Sequence, residues 1–141
     1  MKPLNVEICD VTLRDGEQTP GVSFSCQEKT EIASMLDTIG IEVIEAGFPA
    51  VSPYEKQCVT AIANLGLDAR ICGFARAREP DISAAIDCGV DMVSIFIPTS
   101  ELHVRLKFRK PREQVLEDAL TMIDFAVDHG VQVRFAAEAP S

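Results

Sequence analysis

The sequence predicts an α/β chain built around one parallel sheet, and three observations carry that expectation. Short apolar strands alternate strictly with amphipathic helices. Glycines stand where the helices should stop. The strand over Asp91–Ile97 is nearly all apolar, as a strand covered on both faces must be. Two architectures fit: an open doubly wound sheet, or an incomplete (β/α)8 barrel. No Gly-x-Gly-x-x-Gly follows any strand, which weakens the dinucleotide-binding version of the first.

Taken in order, Val6–Asp10 reads as a short strand, followed by a polar loop from Arg14 to Gly21. Ser25 and Glu28 have capping-box spacing, and Ile32, Met35, Leu36 and Ile39 recur at helical intervals before Gly40. Ile41–Ala46 is the second strand, Tyr54 to Asn64 the second helix, and Ala69–Phe74 the third strand. Pro80 opens a helix that Gly89 ends, and Asp91–Ile97 is the fourth strand. Pro111 suits a first helical position, in a helix running to about His129. Its apolar stripe, including Leu116, Leu120, Ile123 and Val127, is expected in the core. Val131–Ala137 is the fifth strand. The expectation is therefore five parallel strands and four helices, with no linker, repeat or second domain.

The chain has 141 residues, 47% of them hydrophobic, so it can build a real core. A net charge of −9 excludes a general nucleic-acid binder, which needs a basic face. No run approaches about 18 apolar residues, so no membrane span is readable. The N-terminus lacks the apolar core of a signal peptide. Five cysteines, an odd number with no Cys-x-x-Cys pair, read as free buried thiols in a reducing cytoplasm.

Polar residues gather where each strand ends. Asp10 to Gln18 follow the first strand, and Glu45 ends the second. Arg76 and Arg78 follow the third, Thr99, Ser100 and His103 the fourth, and Glu138 closes the fifth. In a barrel those ends carry the chemistry. A hard divalent cation takes carboxylate oxygens, which Asp15 or Asp10 can supply. Arg14 is always charged and suits a developing oxyanion. The alternative for this stretch is a solvated turn with an Arg–Asp ion pair. Arg76 could meet a substrate carboxylate or a structural partner, and Glu45 could support the site or simply end a strand. Arg105, Lys107, Arg109, Lys110 and Arg112 form a basic run, read as a solvated face or as an attractor of anionic substrates.

The segment Asp10-Val11-Thr12-Leu13-Arg14-Asp15-Gly16-Glu17-Gln18 resembles the signature Asp-Thr-Thr-Leu-Arg-Asp-Gly-Glu-Gln. That signature belongs to the metal-dependent acyltransferase and lyase barrels that include 2-isopropylmalate, homocitrate and citramalate synthases. Ile44–Ala50, Phe74–Ala77, Phe96–His103 and Ala137-Glu138 are similar to that family's next four strand ends, in order. Thr19-Pro20-Gly21-Val22 looks more like homocitrate synthase than like 2-isopropylmalate synthase. The resemblance favours the partial (β/α)8 barrel, with residues 1–141 as the N-terminal part of a pyruvate-carboxyltransferase-like catalytic domain. It implies condensation of acetyl-CoA, as co-substrate, with a 2-oxo acid, 2-oxoglutarate favoured, around a divalent metal (Mg2+, Mn2+ or Zn2+). By the same resemblance Asp15 is the metal ligand and Arg14 and Glu138 are catalytic. Gln18, Glu45, Arg76, Thr99, Ser100 and His103 would then line the substrate site.

Two departures qualify that reading. The family completes its metal site with a His-x-His pair, whereas this sequence has only His103 and His129. A full barrel takes roughly 200–250 residues. The expectation is a fragment or one piece of a split enzyme. Its open sheet edges would seek another copy or a complementary half-barrel chain. The competing expectations are a same-fold lyase and a non-catalytic or partner-dependent subunit.

Overall fold

The computed structural model describes residues 1–98 and 109–138. Among them, one five-stranded sheet runs in the order β1-β2-β3-β4-β5, every adjacent pair parallel. The strands are β1 (Cys9–Asp10), β2 (Val43–Gly47), β3 (Arg70–Arg76), β4 (Met92–Pro98) and β5 (Gln132–Glu138). Between them lie α1 (Cys26–Thr38), α2 (Pro53–Ala63), α3 (Glu79–Asp87) and α4 (Arg112–Asp128). A doubly wound sheet reverses its strand order at a switch point. Strictly sequential order has no such reversal, so the sheet is a half-barrel with helices outside it.

Local chemistry sets the element ends. The Ser25 hydroxyl accepts from the Glu28 N–H at 3.1 Å, and the Glu28 carboxylate accepts from the Ser25 N–H at 2.7 Å. This is the reciprocal cap expected from the sequence. At α2, Ser52 Oγ accepts from the Glu55 N–H at 3.0 Å, with Pro53 in the first turn. Ile44, Ala46, Ile71, Ala75, Val93 and Ile95 form the outer face of the sheet. They pack on Val59, Ile62, Ile82, Ala85 and Ala126 of the helices.

Two expectations are corrected. β1 is shorter than expected: Cys9 and Asp10 lie opposite Val43 and Ile44, the Ile8 carbonyl accepts from the Val43 N–H at 3.2 Å, and the Val6 and Ile8 side chains are exposed. It lies at the edge of the described sheet. On α4, Leu116, Leu120 and Val127 are 44%, 61% and 54% exposed. The buried face is Val115, Ala119 and Ala126, with Ile123 partly buried beside them. Apolar periodicity pointed to the wrong face: the sheet takes the neighbouring one, with its smaller side chains.

The reading of five free thiols is corrected for two of them. Cys26 in the first turn of α1 and Cys58 in α2 form a disulfide, with Cα atoms 4.9 Å apart and a sequence separation of 32. Parallel neighbours α1 and α2 bring together two cysteines that sequence spacing kept apart. A cross-link of that span stabilises by about 3–4 kcal/mol in the chain-entropy account. Thiol titration of unfolded protein is expected to find three reactive groups without reductant and five with it. Five in both conditions would show that the bond does not form in solution. Among the described residues, no helix is long and apolar enough to cross a membrane.

Candidate active site

The two ends of the sheet differ. At the N-terminal end of β3, Arg70 pairs with Glu7 at 2.5 Å and donates to Gln132 at 2.7 Å, a structural clasp between strands. The opposite rim carries the loops.

The turn after β1 winds on one acceptor. The Val11 carbonyl receives the N–H groups of Arg14, Asp15 and Gly16 at 3.2, 2.8 and 3.2 Å. Asp10 Oδ1 caps the Thr12 N–H at 2.9 Å, and Leu13 is fully buried beneath the turn.

That turn delivers Arg14 to a prepared seat. Its Nε donates to Glu45 Oε1 at 2.8 Å, and its Nη1 lies 3.3 Å from Asp15 Oδ1. Its guanidinium carbon stands 4.2 Å over the Phe74 ring. Phe74 in turn stacks on Phe96 at 4.3 Å, and Phe48 meets Phe74 edge-on at 5.3 Å. A planar cation on an aromatic face, held by a carboxylate, is fixed in both position and tilt.

Glu45 is completely buried, so its charge must be matched. Arg14 matches it through Oε1, and Arg134 Nη2 of β5 lies 3.6 Å from Oε2, which accepts no hydrogen bond. Arg134 also donates to Cys9 Sγ at 2.8 Å. β2 carries a register shift against β3 between Glu45 and Gly47, the kind of irregularity that re-aims a side chain at a rim. Burial, then the Glu45 charge, push the Cys72 thiol up to about 12. Cys72 is therefore a packed thiol and no nucleophile.

The remaining residues singled out in the sequence divide as follows. Asp15 presents its carboxylate to solvent, 61% exposed. Gln18 is exposed and lines a cleft of about 210 Å³ with Arg14, Glu17, Phe48, Ser52 and Glu55. Arg76 grips Asp81, which is 2% exposed, through Nε at 2.6 Å and Nη2 at 3.1 Å. Glu138 pairs by backbone with Pro98 at the C-terminal end of the sheet, the end that carries Arg14. Thr99, Ser100 and His103 lie outside the described residues. His129 caps the end of α4, its Nδ1 2.7 Å from the Phe125 carbonyl.

Lys29 was not singled out from the sequence, nor were Glu55, Arg134 and the three phenylalanines. Lys29 is completely buried, with Nζ 2.7 Å from both Glu17 Oε2 and Glu55 Oε2. Burial alone would lower its pKa, but the hydrogen bonds that its ammonium donates to the two carboxylates outweigh that and raise it above the ordinary 10.5. A lysine raised on folding stabilises fully below its unfolded value, and that stability fades as pH rises through the folded one. This ion pair should therefore hold unchanged across neutral pH and weaken only above 10.5. The Lys29 Nζ resonance, followed in an alkaline titration, checks it. Ser52-x-x-Glu55 has capping spacing and was the one signal that could have drawn attention to Glu55.

Among the described residues, no three His, Cys, Asp or Glu side chains gather as a cation site. Asp15 alone, acidic and open to solvent at the rim, fits one oxygen ligand of a divalent ion.

Fold and rim together define a half-barrel of the (β/α)8 class, with an arginine-centred polar cluster at the C-terminal ends of its strands. The chain belongs to the HMGL-like family, whose model matches residues 5–141. It is 58% identical over 137 residues to homocitrate synthase AksA of Methanosarcina acetivorans, covering 97% of this chain and 34% of that one. It is 51% identical over 136 residues to 2-isopropylmalate synthase of Methanocaldococcus jannaschii, covering 96% and 26% respectively. The chain thus spans about a third or less of the length of these relatives. Among solved structures, hydroxymethylglutaryl-CoA lyase from Pseudomonas aeruginosa superposes with a TM-score of 0.75. That match is 23% identical and covers 94% of this chain and 46% of the other, which shows the shared fold.

Proposed function

We propose that this chain forms the first part of the active site of an acyltransferase that condenses acetyl-CoA with a 2-oxo acid. The observation that carries the reading is the seat of Arg14, a desolvated and oriented guanidinium beside the exposed carboxylate of Asp15. Family membership and the synthase names of the 58% and 51% identical relatives support the same class of reaction.

In this reading a base takes a proton from the thioester methyl, the carbon attacks the ketone of the oxo acid, the resulting alkoxide is protonated, and water then cleaves the thioester to release CoA. Charge grows on the ketone oxygen, and Arg14, already oriented, meets it without reorganising. Glu45 holds Arg14 from behind, and Glu138 would organise the same rim. Gln18 approaches from the cleft, with Thr99, Ser100 and His103 as further substrate contacts and Arg76 as a carboxylate partner if it exchanges Asp81 for substrate. A divalent cation, when bound, would supply Lewis-acid polarisation, with Asp15 as a carboxylate ligand in this reading. Both substrates are small anions that meet in solution, which fits a cytoplasmic biosynthetic enzyme.

The favoured 2-oxo acid is 2-oxoglutarate, supported by the homocitrate-synthase-like wording of Thr19-Pro20-Gly21 and by the 58% identical relative, with the substrates of 2-isopropylmalate and citramalate synthases as the alternatives. The test is release of free CoA thiol from acetyl-CoA with a panel of 2-oxo acids and each divalent metal. Release with 2-oxoglutarate above all others supports the assignment, and release with no oxo acid removes it. A partner-dependent subunit is the second reading, favoured by the exposed Leu116, Leu120 and Val127 on α4.

A further inference from the structure

A single buried ammonium joins two loops of the rim. Glu17 belongs to the turn that also carries Arg14 and Gln18, and Glu55 lies in the first turn of α2. Lys29 reaches both from α1 with no exposure to solvent. Each carboxylate uses its second oxygen on the backbone. Glu17 Oε1 accepts from the Phe24 N–H at 3.1 Å, and Glu55 Oε1 accepts from the Phe48 N–H at 3.1 Å. Gly47 completes the fit, because a Cβ there would collide with Glu55 Oε1. The loops tied in this way are two walls of the cleft beside Arg14.

A fully buried ammonium held by two largely buried carboxylates, 25% and 14% exposed, is an inefficient source of stability. Desolvation consumes most of the attraction, and apolar replacements of such clusters often leave stability unchanged or improved. What the cluster supplies is geometry: one cation with two short contacts at 2.7 Å fixes the distance between Glu17 and Glu55. We propose that Lys29 is a positioning residue that holds the loop after β1 against the loop after β2, and so sets the cleft in which Gln18 and Arg14 meet substrate. The proposal rests on the reading of that cleft as the substrate site.

The test compares the wild type with Lys29→Met and with the neutral triple variant Glu17→Gln, Lys29→Met, Glu55→Gln. The single variant strands two carboxylates, a change that by itself destabilises the fold, so the triple variant decides. It keeps shape and backbone acceptors while removing the ionic tie. Expected in the folded triple variant is at least 10-fold faster amide exchange at both Phe24 and Phe48, with β3 and β4 amides unchanged. Expected with it is at least a 10-fold loss in kcat/KM for condensation, measured well below Tm. A purely structural role would lower Tm and leave both readouts as they are. Unchanged exchange at either amide overturns the coupling, and wild-type kinetics despite faster exchange overturns the positioning role. If the wild type itself shows no condensation, the proposed function fails, and exchange at the two amides still decides whether Lys29 couples the loops.

Discussion

Arg14→Lys is expected to lower kcat for condensation at least about 100-fold, with little change in thermal stability. The size follows from what removal of one preorganised oxyanion partner costs in other active sites, about 10²–10³ in kcat. Charge is conserved in the substitution, so any loss reports geometry. Arginine here makes three different contacts at once: Nε to Glu45 at 2.8 Å, Nη1 near Asp15 at 3.3 Å, and the guanidinium plane on Phe74 at 4.2 Å. An ammonium is a compact point charge on a flexible stem. It can stay with Glu45 or approach the rim, but it cannot span both. Because Glu45 is fully buried, a lysine at position 14 would settle on Glu45 and withdraw from substrate. The measurement is CoA release at saturating 2-oxo acid, beside a melting curve of the same sample. A variant within a few-fold of wild type would mean that Arg14 does not stabilise the developing charge.

The barrel half was legible because each element carried its own local signal. The capping box at Ser25 and Glu28, Pro111 ahead of α4 and the apolar run of β4 all state their structure within a few residues. What failed was whatever depends on a neighbour. Leu116, Leu120 and Val127 mark an apolar face, yet periodicity does not say what covers it, and the sheet takes Val115, Ala119 and Ala126 instead. Cys26 and Cys58 gave no spacing signal because their encounter depends on α1 lying against α2.

The site divides along the same line. That Arg14, Asp15 and Gln18 share one turn was readable, since they lie within five residues of each other. Lys29 was not, because a lysine in the first turns of an amphipathic helix looks like any solvated lysine until Glu17 and Glu55 close over it. Arg134 sits in a strand pattern and gains meaning only where β5 faces Cys9 and the buried Glu45. Arg76 and Asp81 are five residues apart in sequence, and their bidentate pairing follows from the turn between β3 and α3.

Glu45→Ala should be the most destabilising single change at the rim, costing about 3 kcal/mol. Removing one partner of a buried ion pair typically costs about 3–5 kcal/mol, since the other charge is left without compensation. The lower end applies because Arg134 is 40% exposed and regains water, whereas Arg14 is 16% exposed and cannot do so fully. The alanine also leaves a void next to Cys72 and removes the negative charge that helps raise that thiol's pKa. Glu45→Gln keeps the volume and an acceptor for Arg14 Nε, so its stability loss should be roughly half as large. Its catalytic loss should nevertheless be clear, because an uncharged neighbour no longer pins the guanidinium against Phe74. Denaturant melts of the two variants separate these effects. If alanine and glutamine melt with the wild type, Glu45 is not the counter-charge on which Arg14 depends, and the seat described for that arginine is held by the aromatic platform alone.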